Sequence, residues 1–198
     1  MVGVAPPTEV RPNTPEGWGE RADAFANPWD AAGWGEASQP IRIGKALSML
    51  APKAGHSLLD FGCGPGVMAG MLAPWDEFGA DGIAYTGYDW APRMVARAHR
   101  DYPTRTFTSK YPTGHYDLVA CVGVFNLRDN WSLEQTYSTL ADLWGRCNVR
   151  LFASLYLGTD ERCLVYEPGE VADWANANAG LWQLERWRHN DLALVLQR

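Results

Sequence analysis

The sequence predicts an α/β sandwich, a mostly parallel sheet with helices on both faces. Three observations carry that expectation. Apolar runs of strand length recur at 58–61, 83–89, 104–108, 116–126, 148–157, 182–188 and 192–197. Stretches with helical spacing separate most of them, at 41–50, 67–72, 92–100, 132–144 and 171–178, and strands alternating with helices read as parallel βαβ units. Two of the runs end in an acid directly before a turn and a helix: Asp60 precedes Gly62-Cys63-Gly64-Pro65-Gly66, and Asp89 precedes Trp90-Ala91-Pro92.

Length and composition set the frame. At 198 residues and 46% hydrophobic, the chain reads as one domain with a substantial core. The formal charge is −6 with no basic block, so the electrostatic footprint of a nucleic-acid or anionic-membrane binder is missing, although Arg42, Lys110 and Arg128 leave room for a local patch. A small molecule or metabolite is the expected partner, and monomer and homodimer remain open. Ten Trp residues are unusual; Trp29, Trp34, Trp90 and Trp131 fall in expected loops, where an aromatic ring can face a ligand. Cys63, Cys121, Cys147 and Cys163 lack metal-ligand spacing and read as reduced, buried fillers, so no metal site is expected. With no leader pattern and no run of membrane-spanning length, a reducing cytoplasm is the expected compartment.

Along the chain, residues 1–17 carry Pro6, Pro7, Pro12 and Pro15 and read as a flexible tail ahead of a single domain over 18–198. Within it, residues 18–50 form an N-terminal cap, an aromatic loop and short helix followed by a helix with apolar positions Ile41, Ile43, Ala46, Leu47 and Leu50. Pro52 should stop that helix at or before Ala51. Ser57 to Phe61 is a buried strand, and the glycine turn leads into a helix from Val67 to Leu72. Such a strand, turn and helix start can offer backbone N–H groups to a phosphate or another polar ligand. A dinucleotide fingerprint needs Gly at the first, third and sixth places; Gly62 and Gly64 fit, but Val67 stands sixth. A tight turn with no ligand is the plain alternative.

The second acid, Asp89, lies where a carboxylate can accept both hydroxyls of a ribose, or can simply cap the following helix. Tyr116 to Asn126 is the continuous apolar run of a central strand buried on both faces. Asn130 or Ser132 caps a helix to about Trp144, with Leu133, Tyr137, Leu140 and Trp144 as its apolar face. His189-Asn190-Asp191 joins the last two strands as a loop.

The Asp60-x-Gly62-x-Gly64-x-Gly66 run resembles the first motif of class I S-adenosylmethionine-dependent methyltransferases. Gly123-Val124-Phe125-Asn126 is similar to a pattern in small bacterial and phage members, and Trp34-Gly35-Glu36-Ala37-Ser38-Gln39-Pro40-Ile41-Arg42 resembles a stretch several of them carry. The resemblance, covering about Trp34 to the C-terminus, implies a Rossmann-like methyltransferase sandwich with a seven-stranded sheet and an antiparallel last strand. It implies S-adenosyl-L-methionine as cofactor. Asp60 would lie near the methionine amino group, with Gly62, Cys63, Gly64 and Gly66 passing against the ligand. Asp89 would hold the ribose, and Trp90 would line the adenine pocket. Gly123 would permit close approach, Phe125 would support the methionine portion or pack in the core, and Asn126 would point toward substrate. Trp34 and Gln39 would line the site, with Arg42 reaching a carboxylate. Where relatives place an adenine-binding acid, this chain has Ser109-Lys110-Tyr111, leaving Ser109, backbone or stacking for that role. The implied reaction is methyl transfer by in-line displacement to a small or medium-sized acceptor, with His189 and Asp191 as candidate bases. Aminocarboxypropyl transfer from the same cofactor and a non-catalytic cofactor-binding protein are the competing readings.

Overall fold

The computed structural model describes residues 14–33, 38–72, 82–188 and 190–198. Trp34, His189 and most of the expected N-terminal tail lie outside the described residues.

Three helices open the described chain: α1 (Pro15–Ala24), α2 (Pro28–Ala31) and α3 (Ser38–Leu50). There follow β1 (Ser57–Phe61), α4 (Val67–Met71), β2 (Ala84–Tyr88), α5 (Pro92–Asp101), β3 (Thr106–Thr108) and β4 (Tyr116–Cys121). The remainder is α6 (Leu133–Gly145), β5 (Cys147–Tyr156), α7 (Pro168–Asn178), β6 (Leu181–Trp187) and β7 (Asp191–Gln197). The strands form one seven-stranded sheet in the order β3-β2-β1-β4-β5-β7-β6. Pairs from β3 through β5 are parallel, whereas β7 runs antiparallel to both β5 and β6. This is the Rossmann-like methyltransferase sandwich.

Alternation in the central strands builds two cores. Leu58, Leu118, Ala120 and Phe152 face one side and pack with Ile43, Ala46 and Leu50 of α3, Val67 and Met68 of α4, and Val95 and Ala98 of α5. Leu59, Val119, Cys121, Leu151 and Ala153 face the other and pack with Leu140, Leu143 and Trp144 of α6 and Val171 and Ala175 of α7. Because both faces are covered, the strand sequences are apolar without a polar alternation.

Several expected boundaries move for identifiable reasons. β4 ends at Cys121 rather than Asn126: Gly123 turns to φ +73°, and its N–H donates to Ser154 Oγ at 2.8 Å instead of to a neighbouring strand. Asp191 belongs to β7, paired with Tyr156 and Trp187, and is not a loop residue. The region before residue 38, expected as a loop and one short helix, contains two helices, and α1 starts within the expected tail because Thr14 caps it, accepting from Gly17 N at 3.1 Å ahead of Pro15 at the first turn. On α3 the buried row is Gln39, Ile43, Ala46 and Leu50, while Ile41 is 48% exposed. On α6, Ser132 forms a capping box with Gln135, and the row that is buried includes Thr136 and Leu143 in place of Leu133 and Tyr137. No helix among the described residues is long and apolar enough to cross a membrane.

One buried charge ties the cap to the body. Arg97 of α5 donates from Nη1 to Ala22 O at 2.9 Å and to Phe25 O, and from Nη2 to Ala26 O, at the C-terminal end of α1. Its Nε reaches Asp101 Oδ2 at 3.2 Å. Around this anchor Ala22, Ala31, Ala91 and Met94 make a small core flanked by Trp18 and Phe25. Arg97→Met would strip these carbonyls of their donor. We expect a loss of about 2 kcal/mol in urea unfolding, with earlier proteolytic cleavage between residues 20 and 33 than in the parent chain.

Candidate functional site

The C-terminal ends of the parallel strands open onto a cavity of about 950 Å³. This is the edge at which α/β sheets bind ligands, and the volume lies at the upper end of the small-molecule range.

Its first wall is the turn after β1. Gly62 N and Cys63 N both donate to Tyr88 O at 2.8 Å, Gly64 N donates to Asp89 Oδ2 at 2.9 Å, and Gly66 N donates to Cys63 O at 3.1 Å. The remaining residue, Pro65, has no N–H. The amide donors of Gly62, Cys63, Gly64 and Gly66 are thus consumed inside the protein, so the turn itself, as distinct from the helix start at Val67, offers none to a phosphate. What it offers is a surface without side chains. Gly62 stands at φ +81°, and a Cβ there would come within 2.6 Å of Val124 Cγ2, so glycine is required by both conformation and space.

Asp89 forms the second wall. Its Oδ1 accepts from Ala91 N at 2.9 Å while Oδ2 holds Gly64 N; the N-cap of α5 is Ala91, without a side-chain cap bond, so Asp89 braces the approach to the helix and does not cap it. Each carboxylate oxygen has a further lone pair, and Asp89 lines the cavity. Trp90 stands beside it, 40% exposed.

Of the other expected site residues, Gly123, Asn126, Gln39 and Arg42 also line this cavity. Gln39 faces inward because it continues the buried row of α3 by one turn beyond Ile43. Arg42 is held by Asp191, at 2.8 Å from Nη2 to Oδ2, and by Ser38 Oγ. Asp191 is itself buried and does not line the cavity, so its carboxylate orients Arg42 instead of facing a ligand. Asp60 and the turn residues Cys63 and Gly66 do not line the cavity: Asp60 Oδ2 accepts from Tyr85 Oη at 2.8 Å, Cys63 packs in the core, and a Cβ on Gly66 would press on Tyr102 and Phe107. Phe125 is fully buried between Phe61 and Trp131, with ring centroids at 6.2 and 4.8 Å. Ser109 is exposed outside the cavity.

Tyr111, two residues on, does line the cavity. Its hydroxyl donates to Asp142 Oδ2 at 2.9 Å and its ring meets Phe61 and Tyr88 edge-on at 5.8 and 5.7 Å. Burial and the neighbouring Asp142 push its phenol well above the usual value, keeping it protonated. The polar face of α6, with Glu134, Gln135, Ser138 and Thr139, also lines the cavity, together with Trp131, Asn130, Tyr156, Asp160 and Arg162. For α6 a signal existed, polar residues spaced three and four apart opposite the apolar row. Trp18 and Arg21 reach the cavity from the cap, a placement that local sequence does not encode. Among the described residues no group of three His, Cys, Asp or Glu could hold a metal ion.

With this geometry in hand, comparison with known proteins is informative. A family model described as a methyltransferase domain matches residues 37–186. No curated protein matches the chain in sequence. Among solved structures, the magnesium protoporphyrin IX methyltransferase of Synechocystis with bound S-adenosylmethionine is similar at TM-score 0.63 and 17% identity, over 82% of this chain and 80% of that one. A TehB-like S-adenosylmethionine-dependent methyltransferase of Corynebacterium glutamicum gives TM-score 0.63 at 18% identity, over 93% and 100%. A methyltransferase of Methanococcus maripaludis, described as putative and S-adenosylmethionine-dependent, gives 0.58 at 10%, over 99% and 97%. At these identities the likeness speaks for the fold.

Two buried acids share the strand ends. Burial raises the Asp60 carboxyl from 3.8 to about 7, against the lowering effect of the Tyr85 hydrogen bond and with a further rise from Asp89. Burial also raises Asp89, to about 6, partly offset by its bonds from Ala91 and Gly64. A raised carboxyl keeps in the folded state a proton that the unfolded chain releases near 3.8, so its stabilising contribution is full below that pH and is lost as pH climbs through about 7. The melting temperature should therefore fall across this window, and Asp60→Asn should make the fall shallower. An equally steep profile in the variant, measured by calorimetry, would show that Asp60 does not drive it.

Proposed function

The chain belongs to the methyltransferase-domain family, and we propose that it transfers the methyl group of S-adenosylmethionine to a small or medium-sized acceptor. The observation that carries the choice of cofactor is the turn after β1, whose amide donors are all engaged internally. A pyrophosphate needs those donors; a sulfonium nucleoside does not, and it benefits from an acidic, side-chain-free wall. When bound, S-adenosylmethionine supplies an electrophilic sulfonium methyl.

In this reading Asp89 accepts the ribose hydroxyls with its remaining lone pairs, and Trp90 and Tyr111 flank the adenine in place of the acid that Ser109 does not supply. Gly62, Gly64 and Gly123 let the backbone approach the ligand. Arg42, oriented by Asp191, reaches a carboxylate, while Gln39 and Asn126 complete the polar lining. Asp60, Cys63, Gly66 and Phe125 support the turn and floor from below. Trp34 and His189 keep their proposed roles as lining residue and base. Orienting the acceptor and excluding water under the cap supply the rate effect, because correct placement removes much of the entropy cost of the encounter. Four free, buried cysteines fit a reducing compartment, and a cytoplasmic, bacterial or phage setting with a metabolite-sized partner belongs to the same proposal.

Calorimetric titration with S-adenosylhomocysteine and with NAD tests the cofactor, and tighter NAD binding would overturn this reading. Asp89→Ala should weaken S-adenosylhomocysteine binding by at least about tenfold, since a bidentate carboxylate contact is lost. Incubation of S-adenosylmethionine with candidate acceptors should yield S-adenosylhomocysteine; methylthioadenosine would mark aminocarboxypropyl transfer instead.

A further inference from the structure

Two large aromatic side chains stand open at one end of the cavity: Trp90 is 40% and Tyr111 43% exposed. Trp90 follows β2 and Tyr111 follows β3, so both belong to the sheet edge on the Asp89 side. Exposed rings in a concave wall are stacking surfaces for a flat, unsaturated ligand. The polar groups around them are of one kind. The Tyr111 hydroxyl donates to Asp142 Oδ2, which also accepts from Arg146 Nε at 3.0 Å, and Asp142 does not itself line the cavity. Tyr111 is thereby tied to α6, and the lining residues beside that tie are Ser138 and Thr139, four and three positions before Asp142, both of them hydroxyls. The acids of the cavity stand elsewhere. Asp89 is assigned above to the ribose, Glu134 lies eight residues before Asp142, about 12 Å back along α6, and Asp160 follows β5, beyond β4. Arg21 of the cap is engaged with the carbonyls of Asp30 and Ala31.

From this arrangement we propose that the protein holds the purine of its cofactor by the ring faces and not by the edge, so that a hypoxanthine nucleoside is bound as readily as an adenine one. The inference rests on the S-adenosylmethionine reading and deepens it, because it sets which nucleosides that half of the cavity takes. Exchanging the 6-amino group of adenine for the 6-oxo group of hypoxanthine turns a donor into an acceptor at C6 and an acceptor into a donor at N1. A carboxylate only accepts and a guanidinium only donates, so either would enforce one pattern. A hydroxyl does both, its hydrogen rotating to suit. Stacking is nearly indifferent to the exchange, since every purine offers a π face. Strong rejection of an analogue requires a polar group of the site left unpaired, and the hydroxyls at this end are stranded by neither edge.

Calorimetric titration of the full chain with S-adenosylhomocysteine and with S-inosylhomocysteine, its 6-oxo counterpart, decides the matter. The two dissociation constants should agree within about threefold, where a site that reads the edge would separate them by more than about tenfold. Trp90→Ala should weaken both compounds by about tenfold and in equal proportion, because a stacking surface is lost. Tyr111→Leu, which keeps apolar bulk against Phe61 and Tyr88, should do the same. A separation wider than about threefold in either direction, a variant that weakens one compound and spares the other, or Trp90→Ala binding both as tightly as the parent chain would each overturn the proposal. Should neither compound bind, the S-adenosylmethionine reading falls instead, and adenosine and inosine titrated alone would still decide whether these rings take both purines alike.

Discussion

The mouth of the sheet depends on a clamp between the ends of β1 and β2. Tyr88 O takes the N–H groups of Gly62 and Cys63, and the Asp89 carboxylate takes that of Gly64. Two loops that would otherwise solvate their own backbone are thereby locked to each other, and the turn is left with no donor for an anion. The same carboxylate anchors the start of α5 through Ala91 N. One buried acid therefore shapes the turn, seats a helix and presents its unused lone pairs to the cavity. Holding such a group in a low-dielectric site is costly, which is why burial pushes its titration upward toward neutrality.

Beneath the clamp, close packing leaves little freedom. Val124 fills the space where a side chain on Gly62 would stand, and Phe107 and Tyr102 do the same beneath Gly66. Phe61, Tyr88, Tyr111, Phe125 and Trp131 make a connected aromatic set between β1, β2, the β4 turn and the entry to α6. Rings packed tilted, stacked and edge-on at these spacings hold one another in place, so the cavity floor is pre-formed. Above it, the cap is hung from α5 by Arg97, and its Arg21 reaches Ala31 O at 3.2 Å. Roof and floor thus answer to the same short stretch of chain, Asp89 to Arg97.

The two sides of the cavity differ in chemistry. On the side of β1 and β2 the wall is bare backbone and carboxylate, suited to a nucleoside with hydroxyl groups to donate. On the side of β4 and β5 it carries amide side chains and an arginine fixed by Asp191.

The amino-acid sequence by itself determined the sheet, its order of strands and helices, and the two acids at the strand ends. Apolar runs, Gly and Pro punctuation and capping residues are local signals, and a central strand such as β4 can be read from Leu118 to Cys121 alone. Even the inward turn of Gln39 follows from helical spacing to Ile43. Tertiary structure decided which of these residues meet. Phe125 and Asn126 are adjacent, yet the chain's bend at Gly123 buries one among aromatic rings and turns the other into the cavity. Asp191 looks like a loop acid until β7 pairs with β5 and sets it against Arg42, 149 positions earlier in the chain. Tyr111 lines the cavity while Ser109 stays outside it, and Arg97 holds a cap more than 70 residues distant, at Ala22, Phe25 and Ala26. Contacts of that range depend on how layers stack and where strands end, and neither quantity is carried by a residue's own neighbours.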